Sequence, residues 1–381
     1  MEEQVATDLI KGGHLRIRKD KELLYDKCFG YADAENGKKI RPDTIYRMYS
    51  MTKPVTAVAS MIALDLGLFS LEDPVEKYLE GFHNQKVLTP QGLVATNRPS
   101  RMEDLLTMTA GLVYPDMWSD AQKAMCTVFD RFYRDYANGI TTGTVDMCNA
   151  IGRSPLAWQP GETWEYSTGA DILAGVIEVA SGMKYSSFLH RYILDPLGMK
   201  DTEFYVPEEK RDRFAQIYIR DESGKLKVCT MEHLGICGQY RNPPAFEIGG
   251  AGLVSTMDDY DRFSQMLLHR GICADNGKRI VSEAGIDWIS QDRLKPSQKK
   301  TFNWDSCEGY GYGGLMRVLL DPELSVAGNV GEFGWDGWTG NYFYVDPKEN
   351  ITFLYMIQTA CTNGPKPIQA LKKILYEEIA K

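Results

Sequence analysis

Ser50-Met51-Thr52-Lys53-Pro54-Val55-Thr56-Ala57 opens an apolar helix. From Val55 to Leu66 the positions Val55, Val58, Ala59, Ile62 and Leu66 keep helical spacing, and Gly67 stops the run. Proline is comfortable only within about the first helical turn, so Pro54 sets the start at or just after Ser50. Residues three apart share a helix face, which brings the Lys53 side chain to the Ser50 hydroxyl. A serine becomes a nucleophile when a neighbouring base takes its proton. A lysine serves as that base once desolvation lowers its pKa. The free N–H groups at the helix start also favour a developing oxyanion. Ser181/Lys184 and Ser297/Lys300 repeat the spacing. Ser181 precedes the helix-ending Gly182, and Ser297 lies in a Lys-rich polar loop, so both read as surface pairs. Only Ser50 opens a buried helix.

Outward from this stretch, the N-terminal side reads as a short helix, Glu2 to Ile10, closed by Gly12-Gly13. A hairpin follows, His14–Arg18 and Leu23–Tyr31, and then a strand-like run from Ile45 to Ser50. Residues from about 72 to 245 read as helical and loop-rich, with helices over Arg101–Met108, Ser119–Asn138, Asp171–Ser181 and Tyr185–Ile193 and enough alternation within Arg211–Thr230 to hold strands. After Gly249-Gly250-Ala251-Gly252, Ser255 or Thr256 caps a helix with Asp258 and Asp259 in its first turn. Asn341–Val345 and Ile351–Gln358 alternate like paired strands, and Pro367–Ala380 reads as an amphipathic helix. Strands therefore sit at both ends. The expected division is residues 1–71 with 246–381 as one discontinuous unit and 72–245 as a mostly helical insert, with a cleft at the seam.

Two further stretches carry side chains suited to a serine-based reaction. A phenol held near a cation can pass a proton to a leaving group. Tyr136-Ala137-Asn138 ends a helix, with Asn138-Gly139 as its stop, and reads as structural. Tyr166-Ser167-Thr168 follows the loop Pro160-Gly161-Glu162-Thr163-Trp164 and precedes a helix, a better place for chemistry. Trp335-Asp336-Gly337-Trp338-Thr339-Gly340 lies just before a strand, where glycines admit a substrate close to the backbone and a free N–H can join that of Ser50 in an oxyanion hole. Tyr114, Trp118, Tyr240, Phe246, Tyr310, Tyr312 and Trp338 are candidates for an apolar acyl pocket, although core packing explains each equally well.

Composition removes other classes. The 381 residues carry 43 basic and 52 acidic side chains, a net charge of −9, with no basic stripe, so a nucleic-acid partner is not expected. No apolar run approaches the ~18 residues that span a bilayer, so no membrane partner is expected. The chain starts Met1-Glu2-Glu3 without an apolar export segment, and the eight dispersed cysteines form no C-x-x-C pair. The expectation is a cytoplasmic protein with reduced thiols. The five histidines lack metal-ligand spacing, and neither a metal site nor a cofactor is expected. No G-x-S-x-G elbow is present, which argues against the α/β-hydrolases. Oligomeric state is not legible.

Five stretches in register resemble the serine-reactive family of class C β-lactamases, D-Ala-D-Ala carboxypeptidases and family VIII carboxylesterases. They are Ser50-Met-Thr-Lys-Pro-Val-Thr-Ala57, Asp104-Leu-Leu-Thr-Met-Thr-Ala-Gly-Leu112, Pro160-Gly-Glu-Thr-Trp-Glu-Tyr-Ser-Thr168, Gly249-Gly-Ala-Gly-Leu-Val-Ser-Thr256, and Gly337-Trp-Thr-Gly340 before Tyr344-Val-Asp-Pro347. The resemblance spans nearly the whole chain. It implies an α+β fold, with an antiparallel sheet built from both chain ends and flanked by helices, plus an inserted mostly helical domain. It also implies Ser50 as nucleophile, Lys53 as its base, Tyr166 as proton relay, and the N–H groups of Ser50 and Trp338 as oxyanion hole. Trp335, Gly337 and Thr168 become the substrate-binding positions.

The departures from the family pattern select a branch. Where β-lactamases and penicillin-binding relatives usually carry Lys-Thr-Gly, this chain has Trp335-Asp336-Gly337. The cation for a substrate carboxylate is missing, and an acid stands beside the indole. Tyr166-Ser-Thr168 also lacks the asparagine many relatives use. A tryptophan here resembles the esterases and the fungal statin-side-chain acyltransferases. The expected activity is cleavage of a small-molecule ester, or less readily an amide, through an acyl-Ser50. The rivals are an acyltransferase with the same acyl-enzyme, a residual β-lactamase or D-peptidase, and a silent binding protein on this scaffold.

Overall fold

The computed structural model describes residues 1–360 and 366–381. An eight-stranded antiparallel sheet runs, in spatial order, Tyr310–Tyr312, Arg317–Leu319, Phe333–Asp336, Tyr342–Asp346, Ile351–Ile357, Gly12–Lys19, Glu22–Asp33 and Lys38–Lys39. The two chain ends meet at its centre, where Gly13 pairs with Ile357 and Lys19 with Ile351. Side chains alternate across a strand, and both faces of this sheet are covered. Ile351, Phe353, Tyr355 and Ile357 point to a layer holding Ile368 and Leu375 of the terminal helix Lys366–Ile379. Leu354 and Met356 point the other way, into the main core with Val55, Val58 and Phe263.

That second face explains the helix at Thr52–Asp65. It is buried from Thr52 through Ala63, so its small and branched side chains pack on all sides. Pro54 sits in its first turn, as expected. A short 3₁₀ turn, Tyr49–Met51, precedes it and follows the strand Ile45–Arg47, which pairs with Val254–Thr256. Thr256 caps Met257–Leu268 by accepting from the Asp259 N–H, and Tyr260 of that helix donates to the Met51 carbonyl at 2.8 Å. The ends of two helices and one strand are thus anchored around residue 50.

Several local expectations need correction. The N-terminal helix stops at Ala6, and Gly12-Gly13 starts the first strand instead of ending a helix. A Cβ at Gly13 would lie 2.5 Å from the Ile357 side chain, so glycine serves strand contact there. Tyr185–Leu189 continues into a π-helical turn, His190–Leu194. The helical block also contains a hairpin not foreseen, Lys86–Thr89 with Gly92–Ala95. The strands expected within Arg211–Thr230 are Tyr218–Arg220 and Leu226–Val228. The seven cysteines among the described residues are unpaired; Cys361 lies outside the described residues. Among the described residues, no helix is long and apolar enough to cross a membrane.

Candidate active site

Tyr49 enters the 3₁₀ turn with φ of 45°, a left-handed conformation that a bulky residue adopts only under strain. Its ring is held by edge contact with Trp338, with centroids 5.1 Å apart. The next residue, Ser50, keeps 8% exposure, whereas Lys53 beneath it has none. Lys53 Nζ lies 3.2 Å from Ser50 Oγ, 3.0 Å from Tyr114 Oη and 2.8 Å from the Gly250 carbonyl oxygen. Tyr166 Oη donates to Ser50 Oγ at 2.6 Å. Hydroxyl, amine and phenol therefore converge.

The electrostatics follow from burial. Desolvation pushes the Lys53 pKa down to about 7, with Asp171 and then Asp336 opposing it. Burial likewise pushes Asp171 up, with Lys53 opposing. The Asp171 carboxylate accepts the Gly250 N–H at 2.7 Å, so one residue holds the amine through its carbonyl oxygen and the acid through its amide nitrogen. A Cβ at Gly250 would lie 2.7 Å from Asp171 Oδ1 and 2.8 Å from Tyr114 Oη, which accounts for glycine there. Burial raises the Tyr166 and Tyr114 phenols above the ordinary tyrosine range, so both stay protonated at neutral pH. Lys53 Nζ also sits 4.6 Å from the Tyr166 ring centroid.

The third stretch is tied to the first by side chains. Asn341 Nδ2 donates to the Arg47 carbonyl at 2.8 Å, and Gln358 Nε2 donates to the same oxygen at 3.0 Å. Gly337 packs so closely that a Cβ would lie 2.5 Å from the Met48 carbonyl. Its own N–H is spent on the Asn341 carbonyl at 2.8 Å. Trp338 is half-buried, its indole in contact with both Tyr49 and His233.

Other expected positions stand differently from a substrate-facing wall. Trp335 is 1% exposed and stacks on Tyr166 with centroids 5.7 Å apart, its Nε1 3.4 Å from Tyr166 Oη. Asp336 is not a free acid: the buried Arg317 pairs with it at 2.6 Å. Thr168 is fully buried at the start of Gly169–Ser181, its hydroxyl unpartnered among the described residues. Tyr136 is half exposed and touches neither Ser50 nor Lys53. Of the expected pocket aromatics, Tyr114 contacts Lys53, Tyr312 backs Trp335, and Trp118 is 88% exposed.

Sequence reading missed Asp171, the role of Gly250 and that of Trp304. Asp171 stands in the first turn of its helix, an ordinary place for an acid, and nothing local in the sequence shows that it faces Lys53. The Gly249–Gly252 run was the available signal for close packing. Trp304, in a loop, sits edge-on to Tyr166 at 5.1 Å and is partly exposed.

A family model described as Beta-lactamase matches residues 1–376. Protein Rv1367c of Mycobacterium tuberculosis (strain ATCC 25618 / H37Rv) is 32% identical over 361 residues, covering 92% of this chain and 86% of that protein. Esterase EstB of Burkholderia gladioli is 29% identical over 373 residues, covering 93% and 88%. The solved structure of EstCE1, a hydrolase with promiscuous acyltransferase activity, superposes with a TM-score of 0.77 at 23% identity, covering 97% and 94%. The chain belongs to the Beta-lactamase family. Within it, the protein is a serine hydrolase related to the esterase-like branch.

Proposed function

We propose that this enzyme cleaves carboxylic esters of small molecules through an acyl-Ser50 intermediate. The observation that carries this reading is the convergence of Tyr166 Oη and Lys53 Nζ on Ser50 Oγ, at 2.6 and 3.2 Å. A neutral amine has two N–H donors and one lone pair. The Gly250 carbonyl takes one donor and Tyr114 Oη the other, which leaves the lone pair for the Ser50 proton. Ser50 Oγ then attacks the ester carbonyl as its proton passes to Lys53. The N–H groups of Ser50 and Trp338 hold the oxyanion. The C–O bond breaks, and Tyr166 gives its proton to the departing alcohol. Water enters, returns a proton to Tyr166 and attacks the acyl carbon. Lys53 hands its proton back as Ser50 leaves. The reaction occupies the seam between residues 72–245 and the rest of the chain.

Esters are favoured over β-lactams and D-alanyl peptides because no lysine occupies position 335, and the similarity to Esterase EstB supports the same choice. A second reading, acyl transfer to an alcohol, uses the same intermediate. The Trp164, Trp304 and Trp335 rings, 5.1 to 6.4 Å from Tyr166, favour it by surrounding the relay with apolar surface.

The test is turnover of p-nitrophenyl butyrate with and without butanol. Release of nitrophenol with butyric acid as product supports hydrolysis, and butyl butyrate in its place supports transfer. No release excludes both. The rate is lost as the pH falls below about 7, because protonation of Lys53 removes the base. The Asp171 anion raises the Lys53 pKa, so Asp171→Asn moves this acid limb to lower pH. An unmoved limb assigns the titration to another group.

A further inference from the structure

Val113 and Glu165 each precede one of the two tyrosines that hold Lys53 and Ser50, and both line an open groove of about 920 Å³. Its walls are the hairpin Lys86–Ala95, the stretch 157–165 and the start of the helix Asp120–Ala137. Val87, Leu88 and Val113 supply apolar surface. Two indoles stand open to it: Trp118 is 88% exposed and Trp158 43%. Solvent-facing indoles beside an apolar recess are surface that ordinarily meets a ligand.

The charge on the lining has one sign. Asp120, Glu162 and Glu165 line the groove, and no Lys, Arg or His does. Asp120 is paired with Lys123 at 2.9 Å. Glu162 and Glu165 make no ion pair among the described residues. Glu165 is half-buried, and its side-chain partner is the Trp158 indole N–H at 3.4 Å. Burial raises its pKa, as expected for a carboxyl without a counter-ion. Indole faces attract cations, most strongly when the cation is desolvated. A carboxylate bonded to one indole, in an apolar recess lined by a second, thus suits an ammonium group attached to carbon, and repels an anion.

We propose that this groove holds the cationic end of the substrate, so that the preferred esters carry an ammonium group next to apolar carbon. The inference rests on the ester-cleaving reading above and narrows its substrate class. It agrees with the rest of the site, where Arg317 is already committed to Asp336.

Hydrolysis of butyrylcholine is compared with that of 3,3-dimethylbutyl butyrate, its neutral carbon isostere. The ammonium ester shows a KM about tenfold lower, the equivalent of about 1.4 kcal/mol. The ratio of the two KM values, taken within each variant, collapses towards one in Glu165→Gln and in Trp158→Ala. In parallel, choline quenches tryptophan fluorescence and 3,3-dimethylbutanol does not. Equal KM values in the unmodified enzyme overturn the inference while leaving the hydrolase intact. A preference that survives both substitutions also overturns it, because the cation then sits elsewhere. Choline quenching that Trp158→Ala removes, with neither ester turned over, upholds the groove and overturns the hydrolase reading instead.

Discussion

Ser50→Ala abolishes the covalent adduct that a fluorophosphonate or an acyl ester leaves on the protein, as read by intact mass. Steady-state ester turnover falls by at least about 10⁴-fold, the scale seen when a serine nucleophile is removed from a preorganised site. The size of the effect follows from the geometry. Lys53 and Tyr166 both point at one oxygen, and among the described residues no other serine or threonine hydroxyl bonds to either of them. Lys53 keeps the Gly250 carbonyl and Tyr114 as partners, so the buried amine is not orphaned and the fold survives. A lost adduct therefore reports chemistry and not collapse. Two other serines share the lysine spacing, and the structure separates them. Ser181 Oγ bonds back to the Ile177 carbonyl at 2.6 Å, and Ser297 lies in the short helix Pro296–Lys299. Labelling that persists in Ser50→Ala and maps to either of them would sink the assignment.

What the sequence made legible was local and periodic. Pro54 placed the start of the buried helix, Thr256 its neighbour's cap, and alternation the paired strands Tyr342–Asp346 and Ile351–Ile357. The sheet built from both ends follows from strands lying at both ends. Non-local facts were not legible. That Asp171 faces Lys53 depends on the path of Gly249–Gly252, which no periodicity encodes. From sequence, the Trp335-Asp336 pair reads as a substrate-binding indole beside an acid. Strand alternation does place the two on opposite faces, but Arg317, nineteen residues earlier, neutralises the acid, and Tyr166 covers the indole. The hairpin at Lys86–Ala95 does not stand out from a block that reads as helical and loop-rich, because its strands are only four residues each and have no repeat long enough to show a period. The N-terminal helix is shorter than its sequence suggests because Gly12-Gly13, which reads as a stop signal, serves close strand packing.

Tyr166→Phe lowers kcat by about 10²- to 10⁴-fold, the usual range for a lost acid–base group. Tyr136→Phe leaves it unchanged. The substitution at Tyr166 removes one oxygen and keeps the ring that packs against Trp304 and Trp335, so substrate recognition persists and the loss appears in kcat more than in KM. The raised pKa of this phenol gives the effect its direction. Burial keeps the group protonated, and a protonated phenol 2.6 Å from the nucleophile is placed to donate to a departing oxygen. Leaving-group dependence separates donation from mere packing. An alcohol of high pKa needs a proton as it leaves, and a nitrophenolate hardly does. Tyr166→Phe therefore slows alkyl esters far more than p-nitrophenyl esters. Equal loss on both would assign the phenol to holding Ser50 in place. A larger loss from Tyr136→Phe would move the relay to the other tyrosine, which the contacts around Ser50 argue against because the phenol bonded to Ser50 Oγ is that of Tyr166.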